Sequence, residues 1–319
     1  MSALGRVVGG IRDGLMLDTH TYANPAFDGD ASRDSRTRDR RLTLLVRSGR
    51  LRVKYRQALE TVRWVCLFVG YPRSGHSLVG SLVDGHRHAS IAHEFNVVGL
   101  LEKGGFSGRQ LESLMLDHSV RSAEAGRVWT HGYDYTLEQS HQGEFQMPLL
   151  VIGDKKGGRT ARLLADNPTM LRDINQTFGD RLKVVVHLRN PFDIVATMSK
   201  RRSGSDEVTW AAVQDFEQVT EGIAVAMSGM DGADLFLGHH HELQRDPSRY
   251  VRGLLEFLGL DVTLDFLEAC GRLVDPLPKV RRFDCSWPSG TRDAVTGIID
   301  SHGFLEGYSF TDVTPKKRG

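Results

Sequence analysis

The segment VCLFVGYPRSGHS, Val65 to Ser77, joins a short apolar run to a glycine-rich loop. The apolar run has the length of a buried β-strand. Gly70 and Gly75 are separated by four residues and a hydroxyl follows at Ser77, as in the phosphate-binding loop of nucleotide triphosphatases. After Ser77 apolar residues recur with helical spacing. Strand, loop and helix therefore follow in the order that a phosphate loop requires.

The loop departs from the triphosphatase pattern at its lysine, which is His76 here, while Arg73 lies inside the loop. Backbone N–H groups of a glycine-rich turn and a helix N-terminus bind phosphate whatever the side chains are. The absence of that lysine indicates either a ligand without a triphosphate chain or a cation that another residue supplies. The predicted nucleotide-binding residues of the loop are Gly70, Tyr71, Pro72, Arg73, Ser74, Gly75, His76 and Ser77.

Further apolar runs alternate with segments of helical period along the rest of the chain. LVIG, LKVVVHLR and DLFLGHH are typical of strands, and in RNP the asparagine Asn190 caps a helix that Pro191 begins. The pattern predicts an α/β fold: a single three-layer domain whose mostly parallel central sheet is flanked by helices. We predict a basic, helical N-terminal extension over residues 1–60, the domain over 61–312 and a polar tail over 313–319.

Composition excludes several classes of protein. Of 319 residues, 40% are hydrophobic and 25% charged, and the net charge of +1 gives no global attraction to nucleic acid. Cys66, Cys270 and Cys285 are too few and scattered for a disulfide framework. No apolar run is long enough for a transmembrane anchor. We therefore expect a cytoplasmic protein with no nucleic-acid partner. The basic first sixty residues could contact an anionic surface, but such a run of charge is more often the solvated face of helices.

The loop, quoted to its helix as GYPRSGHSLVGSLVDGH, resembles that of sulfotransferases, whose donor is 3′-phosphoadenosine 5′-phosphosulfate (PAPS). Arg73 matches the basic residue of the family's PRSG core. In LRNPFDIVATMSK, Arg189 matches an arginine that holds the donor's 3′-phosphate in the family, and Thr197 stands where the family has a serine. Lys155 in GDKKGG and the segment HELQRDPSRYVRGLLEFLGL are similar to further family motifs. The resemblance covers about Val65 to Phe310.

The resemblance implies transfer of a sulfuryl group to a hydroxyl or amine, without a metal. Negative charge on the departing phosphate would meet the loop N–H groups, Arg73 and Lys155. Cytosolic members of the family use a histidine two residues after the strand lysine as base, where this chain has Gly157. The protein-tyrosine branch uses a glutamate twenty-one residues after the loop arginine, which corresponds to Glu94. His93 and His131 are alternative bases.

Other interpretations stay open from the sequence. A P-loop kinase or NTPase would use Asp154 and Ser77 to hold magnesium, and a noncatalytic nucleotide-binding protein would keep the loop without a base. The histidines of GHHHE and HRH lack zinc-like spacing, so no metal is predicted. We expect a small-molecule acceptor. Aromatic residues that could line its pocket, or pack in the core, are Phe106, Trp129, Tyr133 and Tyr135.

Overall fold

The computed structural model describes residues 35–126, 134–138, 140–276 and 280–311. Its strands are β1 (Trp64–Val69), β2 (Ala89–His93), β3 (Val151–Lys155), β4 (Leu182–Leu188) and β5 (Leu235–His239). They form one sheet in the order β2-β3-β1-β4-β5, and every neighbouring pair is parallel. The predicted α/β fold class is confirmed by this topology.

Both faces of the sheet are covered, which explains why the central strand β1 is a continuous apolar run. In β1, Val65 and Leu67 belong to one hydrophobic core, and Cys66 and Phe68 to the core on the opposite face. Successive strand residues point to opposite faces, so each needs an apolar neighbour. The sheet is therefore the middle of three layers.

Helices supply the outer layers. They are α1 (Ser35–Lys54), α2 (Arg56–Thr61), α3 (His76–Asp84), α4 (Val97–Glu102), α5 (Gly108–Glu124), α6 (Gly157–Asp166), α7 (Met170–Phe178), α8 (Pro191–Ser203), α9 (Trp210–Gly229), α10 (His240–Arg245), α11 (Pro247–Phe257), α12 (Leu264–Leu273) and α13 (Thr291–Asp300). Residues of α5, α6, α8 and α9 contribute to one core, and residues of α3, α11 and α12 to the other.

A close helix crossing fixes the position of α6, which begins at the carboxyl end of β3. A Cβ added at Gly222 of α9 would overlap the carbonyl oxygen of Ala161 in α6. At the start of α6, a Cβ at Gly157 would lie 3.2 Å from the backbone nitrogen of Gly70. Glycine at both positions lets α6 lie against the loop that follows β1.

The N-terminal helix α1 packs on α5. Arg47 of α1 forms an ion pair with the buried Asp117 of α5, and Leu51 and Tyr55 are buried in the same core as the sheet. The domain boundary near residue 60 stays a prediction, and the predicted tail at 313–319 lies outside the described residues. Within the part of the chain that the structure describes, no helix has the length and apolar character needed to cross a membrane.

Candidate functional site

The glycine loop lies at the carboxyl end of β1, where α3 begins. Gly75 has φ of +100° and caps the N-terminus of α3, and Arg73 has φ of +73°. A Cβ at Gly75 would lie 2.7 Å from Nδ1 of His240. Only glycine combines this conformation with this close approach. The loop therefore places backbone N–H groups and the positive end of α3 at one point, which is the arrangement that binds phosphate.

Lys155 supplies a cation to this loop from the neighbouring strand. Because β3 pairs with β1, Nζ of Lys155 lies 2.8 Å from Oγ of Ser77 at the start of α3. The lysine side chain is only 1% exposed. Its stem runs over Gly80, where an added Cβ would lie 2.9 Å from Cγ of Lys155. A cation thus reaches the loop although the position that carries lysine in triphosphatases is His76.

Glu94 joins this cluster from the end of β2. Its carboxylate accepts a hydrogen bond from Lys155 and lies 2.9 Å from Nζ of Lys156. Burial would raise the pKa of Glu94, but Lys155 and Lys156 outweigh that effect and hold it well below its usual value. Burial lowers the pKa of Lys155, and Glu94 opposes that shift. Glu94 is therefore ionised at neutral pH, and its side chain is 29% exposed.

A carboxylate on β3, that of Asp154, holds the turn that carries Glu94. Glu94 and Asn96 both have positive φ, at +60° and +70°. The carboxylate of Asp154 accepts N–H bonds from Phe95 at 3.1 Å and from Val97 at 2.7 Å. Burial raises the pKa of Asp154 to about 7. Both oxygens are thus engaged by the backbone of the turn, which disfavours the interpretation of Asp154 as a magnesium ligand.

His76, at the position of the missing lysine, is buried beside the cluster. Its Nδ1 lies 3.2 Å from Oγ of Ser74 within the loop. Burial, followed by the charge of Lys155, lowers its pKa to about 3. The imidazole is therefore neutral at physiological pH, and the charge of the cluster comes from lysine.

Sequence reasoning missed a contact between the buried His187 and the partly exposed His240 next to the loop. Nε2 of His187 on β4 lies 3.2 Å from Nδ1 of His240, and Nδ1 of His187 lies 2.7 Å from the hydroxyl of Tyr250. Burial and His240 keep the pKa of His187 well below its ordinary value. The signal in the sequence was one polar residue inside the apolar run VVVHL. Its partner could not be identified without the pairing of β4 with β5.

Arg189 and Thr197 follow β4. Asn190 caps α8 by accepting the N–H of Phe192 at 3.0 Å, with Pro191 at the first helical position, as predicted. One guanidinium nitrogen of Arg189 donates to the carbonyl oxygen of Arg73 at 3.3 Å, which brings it to the loop. The hydroxyl of Thr197 donates to the carbonyl oxygen of Asp193 at 2.7 Å. Their predicted role at a 3′-phosphate stays a prediction.

The remaining candidates that the structure describes are His93, Phe106 and Tyr135. The carbonyl oxygen of His93 lies 3.0 Å from Nε2 of His118, and His131 lies outside the described residues, as do Trp129 and Tyr133. Phe106 is buried in the core, and Tyr135 packs against the second core.

The histidines of the GHHHE and HRH runs contact different partners. Nδ1 of His239 lies 2.9 Å from the hydroxyl of Tyr308, whereas His240 contacts His187. Nε2 of His86 lies 3.0 Å from the carbonyl oxygen of Asp261. Among the residues that the structure describes, no three histidine, cysteine or carboxylate side chains come together as a candidate metal site. The prediction that no metal is needed stays a prediction.

No protein-family model matches the chain, and no curated protein matches its sequence. Similar solved structures include the sulfotransferase domain of a Synechococcus olefin synthase, at 14% identity and a TM-score of 0.48, covering 76% of this chain and 94% of that one. A sulfotransferase from Mycobacterium tuberculosis has 14% identity and a TM-score of 0.46, covering 88% and 93%. A mouse sulfotransferase complexed with PAP has 15% identity and a TM-score of 0.38, covering 68% of each chain.

Proposed function

We propose that the protein is a sulfotransferase that uses PAPS to sulfate a hydroxyl or amine of a small molecule. The observation that supports this most directly is the position of Lys155. Its ammonium group contacts both the Ser77 hydroxyl of the phosphate loop and the Glu94 carboxylate. A phosphate bound at the loop would therefore lie on one side of the Lys155 ammonium group, and Glu94, the proposed base for the acceptor, on the other.

The reaction would form a bond between the acceptor oxygen or nitrogen and sulfur, and break the bond between sulfur and the 5′-phosphate oxygen. Negative charge grows on that phosphate as the bond breaks. The loop N–H groups and Lys155 are proposed to stabilise this charge together with Arg73. Because the loop and Lys155 are already held together in the folded chain, they would do so without large reorganisation. Adenosine 3′,5′-bisphosphate leaves with the electron pair of the broken bond.

Glu94 is the proposed base, which takes the proton that the acceptor loses. Its pKa is held low by Lys155 and Lys156, so it is ionised but weakly basic before the donor binds. The anionic donor next to Lys155 offsets part of the ammonium charge felt by Glu94. Binding of the donor would therefore raise the proton affinity of Glu94 when it is needed.

Arg189 and Thr197 are the proposed 3′-phosphate contacts. The contact from Arg189 to the loop carbonyl of Arg73 supports a location beside the donor site. Discrimination between PAPS and a donor without the 3′-phosphate would depend on these two side chains, and more on the charged one.

The proposal is tested by incubating the protein with PAPS and a metabolite extract, and searching by mass spectrometry for products heavier by one sulfuryl group. Glu94→Gln keeps the shape of the side chain and removes the base, so turnover should fall by about 10²- to 10⁴-fold. Its affinity for adenosine 3′,5′-bisphosphate, measured by calorimetry, should persist. His93→Ala is the matched comparison and should keep its turnover.

Three results would count against the proposal. Stabilisation by ATP with magnesium but not by adenosine 3′,5′-bisphosphate, in a thermal-shift assay, would assign the loop to a kinase or NTPase. Binding of the bisphosphate with no sulfated product would indicate a noncatalytic nucleotide-binding protein. Unchanged turnover of Glu94→Gln, with loss of turnover in His93→Ala, would move the base to the histidine.

A further inference from the structure

Helix α1 carries an apolar stripe on its outer face. Leu42, Val46 and Val53 are 55%, 61% and 78% exposed, and their spacing places them along one side of the helix. The opposite side of α1 is packed against the domain, because Ser48 and Leu51 are buried. The stripe is therefore not the face that holds α1 to the domain.

Basic side chains border this stripe on both sides. By helical periodicity, Arg50 and Lys54 lie along one side, and Arg41 and Arg52 along the other. All four are exposed. Lys54 donates to the hydroxyl of Tyr55 at 2.7 Å, and the guanidinium of Arg41 lies close to Gly105. Arg50 and Arg52 are therefore the two that face outward. Residues 41–54 include no aspartate or glutamate. An apolar centre with cationic borders is the pattern of helices that lie in the plane of a membrane surface.

Charge and polarity together select among possible occupants. A second copy of the chain would oppose its own cationic borders to those of the first, which is repulsive. A nucleic acid would satisfy the arginines but leave the three aliphatic side chains in water. A bilayer containing anionic phospholipids offers acidic headgroups beside an apolar interior, and so complements both parts of the helix face.

We propose that α1 docks the folded protein onto the surface of anionic phospholipid bilayers. Leu42, Val46 and Val53 enter the boundary between headgroups and acyl chains, and Arg50 and Arg52, one on each side of them, contact lipid phosphates. The stripe is exposed while the other side of α1 stays packed, so docking requires no unfolding. Three aliphatic side chains form a small anchor. Binding therefore depends on the anionic lipid and weakens as salt rises.

The test is co-sedimentation of the full chain with vesicles of phosphatidylcholine alone, or of equal parts phosphatidylcholine and phosphatidylglycerol. We expect at least about tenfold more bound protein with the anionic vesicles at low salt. The triple variant Leu42→Ser, Val46→Ser, Val53→Ser should lose this binding. Leu264→Ser is the matched control, because Leu264 is 71% exposed on α12 beside acidic Asp265. It should bind as the wild type does, and circular dichroism checks that both variants are folded.

Each contrary outcome assigns the stripe differently. Equal sedimentation with both vesicle types, no sedimentation with either, or binding unchanged in the triple variant would overturn the proposal. A dimer in light scattering that the triple variant loses would assign the stripe to a second copy. Binding to a DNA duplex that survives the serine substitutions, in place of vesicle binding, would assign the arginines to a polyanion.

Discussion

Glu94→Gln should destabilise the fold as well as impair the proposed chemistry, and the two effects can be measured separately. In the wild type, the buried ammonium of Lys155 is neutralised by the Glu94 carboxylate, and Lys156 lies 2.9 Å from the same carboxylate. Breaking a fully buried ion pair costs about 3–5 kcal/mol, because the remaining charge is left uncompensated. Glu94 is 29% exposed, and the new amide oxygen still accepts a hydrogen bond. We therefore expect the free energy of unfolding to fall by about 2 kcal/mol.

The loss should depend on pH in a defined direction. The folded-state pKa of Glu94 lies below its unfolded value, so its contribution is present above the unfolded pKa of about 4.3 and declines as pH falls through the folded value. Urea unfolding of wild type and variant at pH 7 and at pH 4 measures this. The difference in the free energy of unfolding between wild type and Glu94→Gln should have its full value at pH 7 and a smaller value at pH 4.

Glu60→Gln is the matched control, because Glu60 forms an exposed pair with Arg56 at 3.9 Å. Such a pair contributes less than about 1 kcal/mol. If both variants lost the same small amount, or if the Glu94 difference grew toward pH 4, then Glu94 would not neutralise Lys155 in the folded protein. The ion-pair assignment among Glu94, Lys155 and Lys156 would then be wrong.

Three further predictions concern the loop and its surroundings. If the charge of Arg73 acts on the departing phosphate, as proposed, Arg73→Ala should lower turnover at saturating donor far more than it weakens donor binding. Equal losses in turnover and binding would instead assign Arg73 to ground-state binding. Arg189→Ala should weaken donor affinity by about 10- to 100-fold, and Thr197→Ala by less. Both should show a smaller preference for PAPS over a donor that lacks the 3′-phosphate, as measured by calorimetry with the two donors. If both variants kept the full preference, the 3′-phosphate site would not lie at Arg189 and Thr197. Gly80→Ala brings a Cβ to 2.9 Å from Cγ of Lys155 and should lower the free energy of unfolding by about 1–3 kcal/mol in a urea titration. The control is Gly271→Ala in α12, where an added Cβ meets nothing within 4 Å. This variant should raise the free energy of unfolding by up to about 1 kcal/mol.

The elements around the loop could be predicted because local rules determine them. A continuous apolar run predicted β1, and a glycine at a left-handed position predicted the turn into α3. Asn190 and Pro191 predicted the start of α8 in the same way. These signals lie within a few residues of the feature that they specify, so one sequence was enough.

The contacts of the cluster could not be predicted from local rules. The position of Lys155 beside Ser77 depends on β3 pairing with β1, although β2 lies between them in the sequence. The sequence offered no role for Lys156 beyond that of a solvated loop charge, because nothing in GDKKGG predicts that its amino group lies 2.9 Å from the Glu94 carboxylate. The pairing of His187 with His240 likewise requires β4 beside β5. Such long-range choices are set by the packing of the whole sheet.

Placing the cation on β3 has a consequence for how the protein is made. Ser77 and Lys155 are 78 residues apart in the chain, so during synthesis the glycine loop leaves the ribosome well before its ammonium group does. A nascent chain that ended before β3 would hold the loop without its cation. The loop gains that charge only when β3 adds beside β1. Any binding of the proposed nucleotide that depends on Lys155 would therefore begin only after these two strands have paired.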